Sequence, residues 1–513
     1  MAIGSTMFIA AALCAIIALF LHHLRRLRLY IKAAKFPGPS TLPVIGNAHY
    51  FIGSSYDILD KTTGLMTSYS SPIRIWLGHR LFILVSDAAQ IKTVFYSPYT
   101  MEKENMYKFI RPWLGTGLIT APEAKWRIHR KLIAPTFNTR ILESFVPTFA
   151  RHSSIMTRHM EKELEAGEFD IHDYTTHCLL DIICETVMGV KMNSQGKYSR
   201  YANAIAGASE TISKRFFHFW LHPDFIFNLT KAGRDQREYL KYLHGVTNEI
   251  IQMKKSSYKK ETRVESESEH FTEERPNTRK AFLDLLMELS NDDTKLTDEE
   301  LREEVDTMMI AGFHSSAALT TFTAVMLANN PEVQERAYRE LCDIYGDQVS
   351  SETPVKNEDL NRMEYLERVI KETLRLFPIV PMLLREISED VNIGEYTLPK
   401  GGSVCIAVLK IQRSEKYWPN PLKFDPDRFL PEEVARRNPF CYLPFSAGPR
   451  NCPGQKYEMM VVKVVLATVL RRYVLKRDSI LDIRDIKLKA DLLKPTKIMT
   501  IRISERVNEN VEK

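Results

Sequence analysis

The chain has 513 residues, 44% of them hydrophobic and 10% aromatic, which is enough to bury a sizeable core and too apolar for disorder to be the default. Lysine and arginine number 70 against 64 aspartate and glutamate, and a net charge of +6 over this length argues against bulk nucleic-acid binding. Seven cysteines stand at 14, 178, 184, 342, 405, 441 and 452 with no C-x-x-C pair, a pattern of reduced thiols that excludes the usual zinc sites and a secreted disulfide framework.

From Ile3 to Leu21 the chain carries no charge, and as a helix those 19 residues span roughly 28 Å, about a bilayer core. His22, His23, Arg25, Arg26, Arg28, Lys32 and Lys35 follow the apolar run. A cleaved leader carries its basic residues before that run, and positive residues stay on the cytoplasmic side. The pattern predicts an uncleaved anchor over 1–21 with the rest of the chain in the cytosol. Residues 22–46 form a basic, proline-rich tether in which Pro37, Gly38, Pro39, Pro43 and Gly46 disfavour helix. Everything from 47 to 513 reads as one domain.

Within that domain, 73–86 alternates around Gly78-His79 as a hairpin. Trp126 and Arg130 lie four apart on one helix face and present an indole N–H and a guanidinium. Residues 252–280 are charged and rich in Ser and Glu, and are expected to be a flexible surface loop. The strongest helix signal starts at Thr297, which forms a capping box with Glu300, and ends at Asn329-Asn330-Pro331. Its second half is so apolar that it must be buried, yet it carries "AGFHSS" (311–316) in its middle. Glu372 and Arg375 share a helix face, and 391–409 is β-rich with turns at Gly394 and Gly401-Gly402.

Near the C-terminus, "PFSAGPRNCPGQKYEMMVVKVVLATVL" (444–470) is a glycine-rich loop feeding an apolar helix. Cys452 stands just before that helix, where free N–H groups and the helix dipole lower a thiol's pKa. Such a thiolate, shielded by an aromatic residue and flanked by small ones, suits the iron of a flat macrocycle; taken alone, a Cys there is equally a buried structural residue.

The spacing of Phe445, Gly448, Arg450, Cys452 and Gly454 matches the F-x-x-G-x-R-x-C-x-G pattern, and the chain resembles the cytochromes P-450, haem-thiolate monooxygenases, over nearly its whole length. The resemblance implies a mainly α fold with small peripheral β-sheets, preceded by the membrane anchor. It implies haem b with Cys452 as the axial ligand and metal-binding residue. Trp126, Arg130, Arg385 and Arg450 match its contacts to the haem propionates, and Glu372, Arg375 and Arg428 match its structural triad. Electrons are implied to come from NADPH through a membrane-bound flavoprotein reductase, with Lys125, Arg127, Lys131 and Lys456 as basic contacts, at the endoplasmic reticulum membrane. Stretches such as "LDIICETVMGV" and "EEVDTMMIAG" look like the fatty-acid ω-hydroxylase branch and its insect members, which implies a small lipophilic substrate. Its walls are expected from 107–120, 203–220, the 311–316 turn and 378–384.

The turn "AGFHSS" matches the family's oxygen-activation turn but departs from it. Ala311 and Gly312 fit; His314 replaces an acid and Ser315 a Thr. Gly312 is expected to let the helix open beside dioxygen. Ser315 keeps the hydroxyl, and His314 either shuttles protons in place of the carboxylate or faces a polar groove while water carries them. Ala311 replaces a Glu that esterifies the haem in many ω-hydroxylases, so a non-covalent haem is expected. Two other readings stay open: an isomerase or dehydratase of lipid hydroperoxides, and a haem-containing lipid binder with poor turnover.

Overall fold

The structure, a computed structural model, describes residues 26–196, 200–267, 280–289, 296–346, 353–486, 488–489, 494–495 and 499–506, with Leu13, Ile17 and Leu24. The expected anchor over 1–21 lies outside the described residues except for Leu13 and Ile17. The tether after it is docked rather than free. Helix α1 (Leu27–Ala33) buries Leu29 and Ala33, Tyr30 stacks on Trp76, and Phe36 is buried against the first sheet.

Strands β1 (Ile73–Leu77) and β2 (Arg80–Val85) form the expected hairpin, pairing Ile73 with Leu84 and Leu77 with Arg80 around Gly78 at φ +59°. The principal helices follow: α2 (Glu123–Ile133), α3 (Thr139–Met160), α4 (Ile171–Ile183), α5 (Arg200–Phe217) and α6 (Lys231–Glu267). Then come α7 (Asp298–Asn329), α8 (Glu364–Leu376) and α9 (Gln455–Arg472). Strands β3 (Leu383–Glu386), β4 (Val391–Ile393), β5 (Tyr396–Leu398) and β6 (Ser403–Ile406) lie between α8 and α9. One sheet runs β1-β2-β6-β3, with β2 and β6 parallel and β3 antiparallel to β6; β4 and β5 form a separate hairpin. The mainly helical fold with small sheets is the one the sequence predicts.

One expectation fails. Residues 252–267 continue α6 instead of forming a loop, and 268–279 lie outside the described residues. The Lys, Glu, Gln and Arg that suggested a solvated loop are also good helix formers, and a charged helix needs only a narrow apolar stripe such as Leu240, Leu243, Ile250 and Ile251 to dock.

Helix α7 is the axis of the fold. Thr297 and Glu300 form the capping box, and Leu296 and Leu301 are both buried beside it. From Ser316 to Ala328 every side chain is buried, because α4, α8 and α9 all pack on this half. Its apolar run is long enough to cross a membrane, but 78% of the most apolar window lies inside the protein.

Candidate active site

The loop that carries Cys452 is held from below. Arg375, wholly buried, donates through Nε and Nη2 to the two carboxylate oxygens of Glu372 at 2.7 and 2.8 Å, and through Nη1 to the carbonyls of Gln412 and Pro421. Arg428 Nε stands 3.5 Å from Glu372 Oε1, completing the predicted cluster. Burial pushes the Glu372 carboxyl upward, while Arg375 and the Asp425 N–H oppose that shift. Gln412 then donates to the carbonyls of Leu374 and Arg375 and accepts the N–H of Leu443 at 2.6 Å. This chain of bonds fixes where the loop begins.

Within the loop, Cys452 N–H donates to the Phe445 carbonyl at 3.0 Å. Gly448 has φ +69°, and a Cβ there would lie 2.6 Å from the Phe95 carbonyl oxygen, so the turn admits only glycine. At Gly454 a Cβ would sit 3.8 Å from Cys452 Sγ, an ordinary contact. The thiol itself departs from expectation. Burial, and Glu458 whenever its carboxyl is ionised, push it up to about 11, against the N–H groups of Gly454 and Gln455 and the Arg130 charge, which favour the thiolate. Desolvation outweighs the helix N-terminus here.

Cys452 opens on a cavity of about 520 Å³. Phe445, Arg450 and Gly454 line it with Cys452, and so do Trp126, Arg130, Arg385, Ala311, Gly312, His314 and Ser315. Of the predicted site residues outside the Glu372 cluster, Gly448 alone is not in the wall; it shapes the turn behind it. Helix α2 is set by Lys125, which reaches Glu300 and Glu303, and by His129 Nδ1, 2.7 Å from Glu304 Oε1. Lys125 is thus taken up internally, whereas Lys131 is exposed and Lys456 reaches Thr139 at the surface. Arg130 donates to Asn451, and the Arg450 guanidinium lies over the Trp126 ring at 4.7 Å.

One end of the cavity is cationic. Arg385, on β3, is 3% exposed, and its Nη1 donates to the Leu384 carbonyl at 3.1 Å. Arg450 donates one bond to Ala121, but its Nε and Nη1 are buried without hydrogen-bond partners. Lys103 joins them: burial and the charges of Arg385 and Arg450 hold its amine well below the usual range. Nothing in the "MEKENMYK" stretch marks Lys103; only folding brings it here. The guanidiniums of Arg385 and Arg450 repel each other, Glu102 Oε2 reaches Arg450 only at 3.9 Å, and the unsatisfied donors of Arg450 call for a further anionic group beside them. A flat macrocycle with two carboxylates and an iron over Cys452 answers both ends of the cavity, so the residues present fit haem. Ala311 offers no carboxyl for an ester.

On the opposite wall α7 is helical through 311–316. Gly312 serves close packing: a Cβ would stand 2.5 Å from Ile183 Cδ1 of α4. His314 Nε2 lies 3.2 Å from Ser209 Oγ of α5. Ser315 Oγ lies 2.6 Å from the Ala311 carbonyl, four residues back, and 2.6 Å from Glu458 Oε2 of α9. Sequence reading missed Glu458; its only signal is a carboxylate in the first turn of an otherwise apolar helix. The four expected wall segments supply Tyr107, Trp113, Phe216, Ala311, Val380 and Leu384 among the apolar lining, and Ile310 adds to it from just before the turn.

The cytochrome P450 family profile matches residues 36–502. Cytochrome P450 4c21 of Blattella germanica is 40% identical over 91% of this chain and 93% of its own length. Cytochrome P450 4c3 of Drosophila melanogaster is 36% identical over 96% and 93%, and human cytochrome P450 4V2 is 38% identical over 78% and 76%. Similarity of this extent runs through the cysteine loop, the cationic end and the distal helix alike, and with it the chain belongs to the cytochrome P450 family of haem-thiolate monooxygenases.

Proposed function

We propose that this chain hydroxylates a fatty-acid-like aliphatic substrate at an unactivated C–H, with electrons delivered from NADPH by a membrane-bound flavoprotein reductase. The observation that carries the reading is that Cys452, the distal turn and the apolar walls share one cavity. Haem iron bound to the Cys452 thiolate supplies the activation of dioxygen. Trp126, Arg130, Arg385, Arg450 and Lys103 hold the propionates, and Phe445 shields the sulfur. The apolar walls bind an alkyl chain and exclude water from it. Ser315 presents its hydroxyl to the reacting oxygen, Gly312 keeps α7 tight against α4, and His314, bonded to Ser209, links the turn to α5. Residues 1–21 anchor the chain in the endoplasmic reticulum membrane, 22–46 tether it, and the domain from 47 onward works on the cytosolic face. The reductase docks near the loop of Cys452, where Arg127, Lys131 and Lys456 offer positive charge.

The test is product formed per NADPH consumed, with reductase in lipid vesicles and a panel of fatty acids of increasing chain length. Hydroxylated product from one or more acids is expected. Turnover of a lipid hydroperoxide without NADPH, and of no acid with it, would replace this reading by an isomerase.

A further inference from the structure

The resemblance implies an acid beside the alcohol of the distal turn, and here His314 occupies that position. We propose that Glu458, on the helix behind the cysteine loop, supplies the carboxyl group that the turn lacks and acts through Ser315. The inference rests on the proposed role of Ser315 beside the reacting oxygen.

The geometry is specific about the proton. Ser315 Oγ has two oxygen neighbours at 2.6 Å, the Ala311 carbonyl and Glu458 Oε2. A hydroxyl carries one hydrogen and a carbonyl none, so both contacts are hydrogen bonds at once only when Glu458 is the protonated partner. The carboxylic O–H then donates to Ser315 Oγ, and the Ser315 O–H donates to Ala311. The surroundings agree. Glu458 is 7% exposed and lines the cavity. Burial raises its carboxyl to about 7, opposed only by the hydroxyls of Ser315 and Ser316; no cation is among the groups that set it. A carboxylate placed only to complement the start of α9 would face solvent. This one faces inward, across to a helix 143 residues away in sequence.

Each hydroxylation consumes dioxygen, two electrons and two protons, and leaves the alcohol and one water. For one of those protons, the Ser315 O–H turns from Ala311 to the reacting oxygen and gives up its hydrogen as the Glu458 O–H passes its own to Ser315 Oγ. The Glu458 carboxylate then regains a proton from solvent. Glu458 is thus a positioning and proton-holding residue that works through Ser315.

The test uses the haem-loaded protein as wild type, Glu458→Gln, Ser315→Ala and the double variant. Haem content and the reduced carbonyl spectrum first establish that thiolate ligation is intact. Infrared spectra are then compared for a protonated carboxyl band. The band is expected in wild type, absent in Glu458→Gln and shifted in Ser315→Ala, where the acid loses its acceptor. With NADPH and reductase, Glu458→Gln is expected to lose about 10²-fold in product turnover, the lower end for a positioned acid, while NADPH still drains to peroxide. The double variant is expected to be no worse than either single one. No carboxyl band lost in Glu458→Gln, product turnover near wild type, or losses that multiply in the double variant would each overturn the proposal. If Glu458→Gln fails to retain haem, the Ser315→Ala infrared shift decides, because that protein keeps Glu458. The infrared arm needs no substrate, so an error about fatty acids leaves it standing and is read separately from the product assay.

Discussion

The loop around Cys452 and the turn around Ser315 face each other across one cavity, yet they are built on different principles. The loop is contiguous. Its ligand, its obligatory glycine at 448 and its aromatic shield lie within ten residues, and a backbone turn fixes their relative places. The turn is assembled from parts that are remote in sequence. Its hydroxyl is on α7, its carboxyl on α9, and the partner of its imidazole on α5. A contiguous motif is fixed by local dihedral angles and keeps its pattern in the sequence. A composite site can relocate one of its groups as long as packing returns that group to the same point in space. The loss of the acid from the distal turn therefore need not mean the loss of its chemistry.

The largest effect should come from the loop. Cys452→Ala removes the one thiolate the cavity offers, and the carbonyl spectrum of a thiolate-ligated haem and all NADPH-driven product should vanish while circular dichroism still reports a helical fold. Retained product would detach the chemistry from the loop altogether. Next is the support beneath it. Arg375→Ala leaves Glu372 buried without its bidentate partner, a change worth about 3–5 kcal/mol. Thermal unfolding of the holoprotein should drop sharply and haem should leach on dialysis; an unchanged midpoint would mean that Leu443 and the loop are held by something else.

On the distal side the expected effects divide between neighbours. Ser315→Ala should lower product turnover by about 10²-fold. His314→Ala breaks one exchange of hydrogen bonding with Ser209, worth about 1 kcal/mol, so turnover should change by only about fivefold. Equal losses in the two variants would return the acid's role to His314 and undo the contrast between a local and a composite site.

The smallest effect separates a buried acid outside the relay from one inside it. Asp306 lies nine residues before Ser315 on the same helix, and burial raises its carboxyl to about 7 despite the Thr247 hydroxyl at 2.7 Å and the Arg302 charge. His244 and Arg302 stand 3.7 and 3.9 Å away, and Glu303 adds a like charge. The folded protein thus holds this proton more tightly than the unfolded chain, whose aspartates titrate near about 3.9. The contribution to stability is full below that value and declines as pH rises toward about 7. Asp306→Asn should flatten that decline in the unfolding midpoint without altering product per NADPH at any pH. A change in coupling would place Asp306 in the proton path as well.

Much of this protein was legible before folding. The capping box of α7, the hairpin at Gly78, the Glu372–Arg375 pair and the cysteine loop are all short-range patterns, and each element stands where its pattern put it; Arg428 was implied by the resemblance alone. The readings that changed turned on competition between local and distant terms. Residues 252–267 continue α6 beyond the buried stripe of Leu240, Leu243, Ile250 and Ile251 that docks it. Gly312 also packs against Ile183, a contact no local pattern announces. The Cys452 thiol rose because burial exceeded the pull of the helix N-terminus.

By itself, then, the sequence marked the cysteine loop and the helix that spans the core, because spacing along the chain dictates turn geometry and which face of a helix is apolar, and its resemblance to a family implied the ligand and the fold class. Only the tertiary structure decided that Lys103 joins Arg385 and Arg450 at the cationic end, and that Glu458 meets Ser315 across the interior. Those pairings carry no spacing rule. They exist because packing carries separate segments into one low-dielectric space, where charge and hydrogen-bond demand must be met by whatever side chains arrive there.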